Sequence, residues 1–286
     1  MTRVEVELRT APPFAARHLF AFVAARAVPG VEAWDGQTFH RALSLPGGDG
    51  VAALTPGDGA TVRAVFELAD GGDLDEAVRR VRRLLDLDAE PMVIDASLGA
   101  DDVLATLVAT APGLRVGGSV DPFETAVRAV IGQQISVAGA RTVAGRIVAS
   151  AGRPLVVGGG PVTHRFPTPT ALARIDPALL PMPMSRRRTI VQLATRVEAG
   201  QVVLDHDVAR DDAEAMLLAV PGIGPWTAGY VRMRGLGDPD VFLPTDLGVK
   251  VGLQRLGVDA DHATRWRPWR TYALHHVWRA AGFPAE

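Results

Sequence analysis

The sequence predicts an α+β protein in two parts: an antiparallel α/β unit over residues 1–90, then an all-α region over residues 91–286. Three observations carry this reading. Apolar and polar residues alternate with period two in several short stretches of the first part, as they do along half-buried strands. After about residue 100 the alternation gives way to helical spacing. Clusters such as GGDG and PGDG separate the early stretches, where strand-to-strand turns need glycine and proline.

Residues 3–9 (RVEVELR) open with a strand pattern, and residues 16–28 (ARHLFAFVAARAV) read as an apolar helix. QTFHRALSL, GVAALTP and ATVRAVFEL are further strands. Residues 74–86 form an amphipathic helix with Leu74, Ala77, Val78, Val81, Leu84 and Leu85 on one side. Helical spacing then recurs at 101–111, 122–151, 169–180, 184–199 and 210–220. The stretch GRPLVVGGGPVTHRFPTPT reads as a loop ending at Thr168, a helix N-cap.

Apolar residues make up 48% and charged residues 22% of the 286, the composition of an ordinary folded domain that needs no covalent staple. There are no cysteines, which excludes disulfides, thiolate zinc sites, iron–sulfur clusters and cysteine nucleophiles together. No window approaches the ~20 apolar residues of a membrane helix, and the first residues lack the apolar core of a signal peptide. The expectation is a soluble, cytoplasmic protein. A net charge of −2 alone argues against a nucleic-acid partner, but the charge is unevenly spread. Residues 1–112 carry 10 Arg against 17 acidic residues (−7), whereas residues 113–286 carry 19 Arg and one Lys against 15 (+5). Any phosphate contact belongs in the second part.

The sharpest local signal is DDAEAMLLAVPGIGPWTAGYVRM, residues 211–233. One helix ends at Val220, a Pro221-Gly222-Ile223-Gly224 turn follows, and Pro225 starts the next helix at its first position. The two glycines permit positive φ and close backbone approach, while Ile223 tucks between the helices. Amides at the second helix's start then face outward and suit a phosphate. Downstream, DVFLPTDLGVK (240–250) sets Asp246 at a helix start. A simple N-cap is the plain reading. The same position stabilises an anionic carboxylate, which a developing cationic sugar requires.

The combination LLAVPGIGPWTAGYV and VFLPTD resembles the helix–hairpin–helix/Gly-Pro-Asp superfamily of DNA glycosylases. FAFVAARAVPGVE, FETAVRAVIGQQISVAGA, FPTPTALA and WRPWRTYALHHVW extend the likeness along the chain to the AlkA-type 3-methyladenine DNA glycosylases II. That resemblance implies an antiparallel α/β domain followed by a helical glycosylase core with a cleft between helical subdomains. It implies Asp246 as the catalytic carboxylate and Phe22, Trp226, Tyr230 and Trp278 as walls of a base pocket. Aromatic faces there would attract cationic alkylated purines, by ~0.5–2 kcal/mol. Gln133 and Gln134 stand where the family wedges the duplex, with Gln134 in place of leucine. Gly222, Ile223, Gly224 and Thr227 are placed against the DNA backbone, and carbonyls of Leu218, Pro221 and Ile223 as ligands of a monovalent cation. Leu247 replaces an aromatic the family can carry.

Relatives that also nick the strand use a lysine Schiff base directly after the hairpin's Gly-x. That position here is Trp226, and Lys250 is the chain's one lysine. The expected enzyme is therefore a monofunctional, monomeric glycosylase with no cofactor. It acts on double-stranded DNA with damaged bases such as 3-methyladenine and 7-methylguanine. Two other readings stand beside it: a glycosylase for oxidised or deaminated bases on the same scaffold, and a non-catalytic helix–hairpin–helix DNA binder.

Overall fold

The computed structural model describes residues 1–158 and 160–283. Its first part is a five-stranded antiparallel sheet of β1 (Thr2–Arg9), β2 (Glu32–Trp34), β3 (Phe39–Leu45), β4 (Gly48–Pro56) and β5 (Thr61–Leu68). The order across the sheet is β1-β5-β4-β3-β2. The alternation does its work most clearly in β5, where Val62, Ala64, Phe66 and Leu68 are fully buried and the residues between them face outward. Two helices, α1 (Ala16–Ala24) and α2 (Leu74–Leu84), send Leu19, Phe20, Phe22 and Ala77, Val81, Leu84 into the core.

The rest is helical: α3 (Pro91–Gly99), α4 (Ala105–Thr110), α5 (Pro122–Gly132), α6 (Val137–Ala151), α7 (Pro169–Ala173), α8 (Met184–Glu198), α9 (Arg210–Leu218), α10 (Pro225–Tyr230), α11 (Leu247–Leu256) and α12 (Arg270–Ala280). A π-helical stretch, Val231–Gly235, continues α10. Two apolar cores result. One runs from the sheet and its helices into α11 and α12; the other joins α5, α6, α8 and α9. The candidate site lies where the two meet. Among the described residues no helix is long and apolar enough to cross a membrane.

Several expectations need correction. The first helix stops at Ala24 rather than 28, because Pro29 disfavours helical backbone in the residue before it. The single helix expected over 122–151 is two, broken where Gln134 takes φ +58° and Ser136 caps α6 by accepting from the Gly139 amide at 3.1 Å. Helix 169–180 shrinks to α7 and a 3-10 turn at Pro177–Leu179. Thr168 does cap α7, at 3.2 Å from the Ala171 amide. The loop before it carries two short strands, β6 (Arg153–Pro154) and β7 (His164–Arg165). The patterning missed α3, whose Met92 and Val93 point to solvent at 67% and 51% exposure, so no apolar stripe marks it.

A buried ionic cluster ties the sheet to α5. Arg41 of β3 pairs with Glu124 and, at 2.9 Å, with Glu32, while Arg128 reaches Glu32 and Glu124 at 3.0 and 2.9 Å. Removing one member of such a cluster typically costs ~3–5 kcal/mol, since it strands the others' charges.

Candidate active site

Asp246 ends the VFLPTD segment and caps α11, its Oδ1 accepting the Val249 amide at 3.0 Å. The plain N-cap reading is therefore true, and it is not the whole account. The Trp278 indole Nε1–H donates to Oδ1 at 2.9 Å, and the Trp226 indole donates to Oδ2 at 3.0 Å. Three N–H groups from three elements hold one half-buried carboxylate. These bonds fix the orientation of the carboxylate. Gly248 makes it possible: a Cβ there would stand 2.9 Å from the Trp278 ring and 3.2 Å from Asp246 Oδ1.

The four expected aromatic residues do converge, as two stacked pairs either side of this carboxylate. Trp226 and Tyr230 lie 5.4 Å apart with planes 23° apart, and Phe22 and Trp278 lie 6.2 Å apart at 20°. The spacing of four within α10 puts its two rings on one face.

What the residue reading missed is the charge among these rings. The Arg26 guanidinium lies 3.7 Å above the Phe22 ring, with Arg234 5.0 Å from it. Arg234 is also 5.8 Å from the Tyr230 ring and donates to the Tyr230 hydroxyl at 3.1 Å. Neither arginine has a carboxylate within ion-pair distance among the described residues. Arg234 instead donates to the carbonyls of Gly117 and Gly118 at 2.6 and 3.0 Å. Burial pulls Arg26 down to about 10. Burial raises the Tyr230 phenol, but Arg234 and Arg26 outweigh it and bring the group down to about 8. His275, packed 4.9 Å from Phe22, is held neutral by burial and by the same two arginines. The aromatic faces of Phe22 and Tyr230 are thus occupied by the protein's own cations. Both arginines sit four residues after one of these aromatics, Phe22 and Tyr230.

Of the two hairpin glycines only one takes positive φ, Gly224 being extended at φ −104°. Gly222 takes φ +91°, and a Cβ there would fall 2.0 Å from Thr189 Oγ1. Ile223 is buried, its amide donating to the Val220 carbonyl at 3.0 Å. Gly224 precedes α10 in open space. Thr227 is buried at 2% exposure, and its hydroxyl accepts from Gln133 Nε2 at 3.0 Å. Gln133 also donates to the Gly222 carbonyl at 3.0 Å, while Gln134 points to solvent. The two glutamines therefore have different surroundings. Around the carbonyls of Leu218, Pro221 and Ile223, the Pro221 oxygen already accepts the Thr189 hydroxyl at 3.0 Å. Among the described residues no cluster of His, Cys, Asp and Glu has the makings of a metal site. Lys250 and Leu247 are both exposed on α11.

Comparison with known proteins identifies the family. Residues 5–121 match the AlkA N-terminal domain family. The chain is 45% identical over 289 residues to the probable bifunctional transcriptional activator/DNA repair enzyme AlkA of Mycobacterium tuberculosis, covering 99% of this chain but 58% of that protein's length. It is 35% identical to DNA-3-methyladenine glycosylase 2 of Escherichia coli, covering 96% of this chain and 97% of the relative. The 3-methyladenine DNA glycosylase from Archaeoglobus fulgidus has the same fold, with a TM-score of 0.81 over 99% of both chains at 22% identity. With its antiparallel first domain, its helix–hairpin–helix core and a nearly end-to-end match to an established member, the chain belongs to the AlkA family of DNA-3-methyladenine glycosylases.

Proposed function

We propose that the protein is a monofunctional DNA glycosylase that flips an alkylated base out of duplex DNA and hydrolyses its N-glycosidic bond. The observation that carries this is the Asp246 carboxylate, fixed by two indole N–H groups and one backbone amide between two aromatic pairs. As the bond to the base breaks, positive charge builds on the sugar. A fixed negative charge beside it lowers the barrier without forming a bond. Trp226 fills the position where a lysine would attack the sugar, which leaves water as nucleophile.

The remaining parts follow. The amides of Gly222 and Gly224 grip the backbone, the Ile223 amide being turned back to the Val220 carbonyl. Gln134, exposed and in left-handed backbone, enters the duplex, while Gln133 braces it against the hairpin. The flipped base stacks on Trp226 and Trp278. Arg26 and Arg234 favour a base edge that accepts hydrogen bonds, so 7-methylguanine with its oxo group suits this pocket as well as 3-methyladenine. One chain on one duplex is sufficient for this arrangement.

The test is release of free bases from methylated duplex DNA, resolved by chromatography, with a parallel borohydride trap. Release of 3-methyladenine and 7-methylguanine without a trapped adduct is expected. A covalent adduct would refute the monofunctional mechanism, and no release from any alkylated substrate would refute the assignment.

A further inference from the structure

Away from Asp246, a cavity of about 270 Å³ opens between the end of α2, the 116–119 segment, the loop before α9, and the 233–239 segment that leads towards α12. It holds none of the site residues discussed above except Arg234, which also donates to the Tyr230 hydroxyl. Its position follows from the helices. Thr271 and Tyr272 at the start of α12 line it, whereas Trp278 reaches Asp246 roughly 10 Å further along the same helix, at 1.5 Å per residue.

The charges lining this cavity do not balance. Arg82 pairs with Asp88, and Asp238 pairs with Arg232 at 2.6 Å, so those four are satisfied. Arg83 and Arg210 form no ion pair among the described residues. Arg210 donates only to the carbonyls of His206 and Val208, at 3.1 and 3.4 Å, and Glu76 is the carboxylate that feels Arg83 from farther off. Arg234 makes hydrogen bonds to neutral groups alone. The counterweight is Asp86, which accepts from the Val116 amide and the Tyr272 hydroxyl, each at 3.0 Å. Burial and the Arg83 and Arg210 guanidiniums together hold the His206 imidazole below its usual range. Three guanidiniums without a carboxylate partner around a space of this size leave room and donors for an oxyanion.

We propose that this cavity is a phosphate-binding site, in which Arg83, Arg210 and His206 hold a phosphate group separately from the Asp246 centre. The group comes either from a free phosphate or from a DNA strand passing over the mouth of the cavity.

Titration of inorganic phosphate into the full chain, followed by calorimetry and by the His206 imidazole proton resonance, tests this. Saturable binding in the millimolar range or tighter is expected, with the His206 midpoint moving up as phosphate offsets the two guanidiniums. R83Q and R210Q should each weaken binding about tenfold or more. D86N removes the one opposing carboxylate and should tighten it. Opposite shifts from the two kinds of variant exclude a general effect of folding. No saturable binding, or binding that R83Q, R210Q and D86N all leave unchanged, would overturn the proposal. Repeating the titration with an undamaged duplex bound separates the sources. Loss of phosphate binding assigns the site to a DNA phosphate, and unchanged binding assigns it to the free anion.

Discussion

Two carboxylates lie along α12, and their surroundings set them apart. Asp246 accepts a hydrogen bond from the indole N–H of Trp278, and Asp86 accepts one from the hydroxyl of Tyr272, six residues earlier. Each is completed by backbone from another element. Asp246 has two further N–H donors, sits at a helix start and is half-buried. Asp86 has one further N–H donor and no helix start; burial, the largest influence, pushes it up to about 6. The pair shows two ways of holding a carboxylate: oriented by three N–H groups at a helix start, or packed into the interior, where burial favours the protonated form.

The largest effect is expected at Asp246. Replacing it with Asn keeps one acceptor oxygen and removes the charge, and base release should fall at least about 10³-fold, the scale seen when transition-state charge stabilisation is lost. Duplex affinity measured by fluorescence anisotropy should hold or rise. Removing a single donor is milder. W278F or W226F should each lower the single-turnover rate about tenfold or more while the carboxylate stays in place, and retention of the full rate would show that the indole protons do not position it.

The cationic wall gives a smaller effect. R26A should change the ratio of 7-methylguanine to 3-methyladenine release by about 3–10-fold, lowering the oxo-bearing base, as read from competition on one methylated substrate. Smallest is the Asp86 arm. Its folded value is raised above 3.8, so its stabilising contribution is complete below about pH 3.8 and is lost as pH rises through about 6. D86N keeps an acceptor, and Asn tolerates the φ of +50° at this position. It should therefore stabilise the fold by about 1 kcal/mol at pH 7.5, with the advantage shrinking towards pH 4 in urea unfolding.

Much of this was legible from the residues because it rests on local rules. Period-two alternation marks β5, the Pro-Gly-x-Gly turn marks the hairpin, and a spacing of four marks Trp226 and Tyr230. The rest depends on contacts between distant segments, which periodicity does not encode. Nothing in LGVK announces that Gly248 clears a path for an indole 30 residues away. The paired glutamines look alike in sequence, yet one braces Thr227 and the other faces solvent, because the helix break between α5 and α6 turns them apart. A chain direction, rather than a residue type, makes that distinction.

The buried cluster of Arg41, Glu32, Glu124 and Arg128 bears on how the chain comes apart. Its charges are contributed partly by the sheet and partly by α5, so melting either side forfeits the pairs that cross between them, Arg41 with Glu124 and Arg128 with Glu32, and leaves only one pair within each half. Intermediates with one half folded are thereby penalised. The sheet and the helices next to it should lose structure in a single concerted transition, and a protease is offered no half-open form to trim.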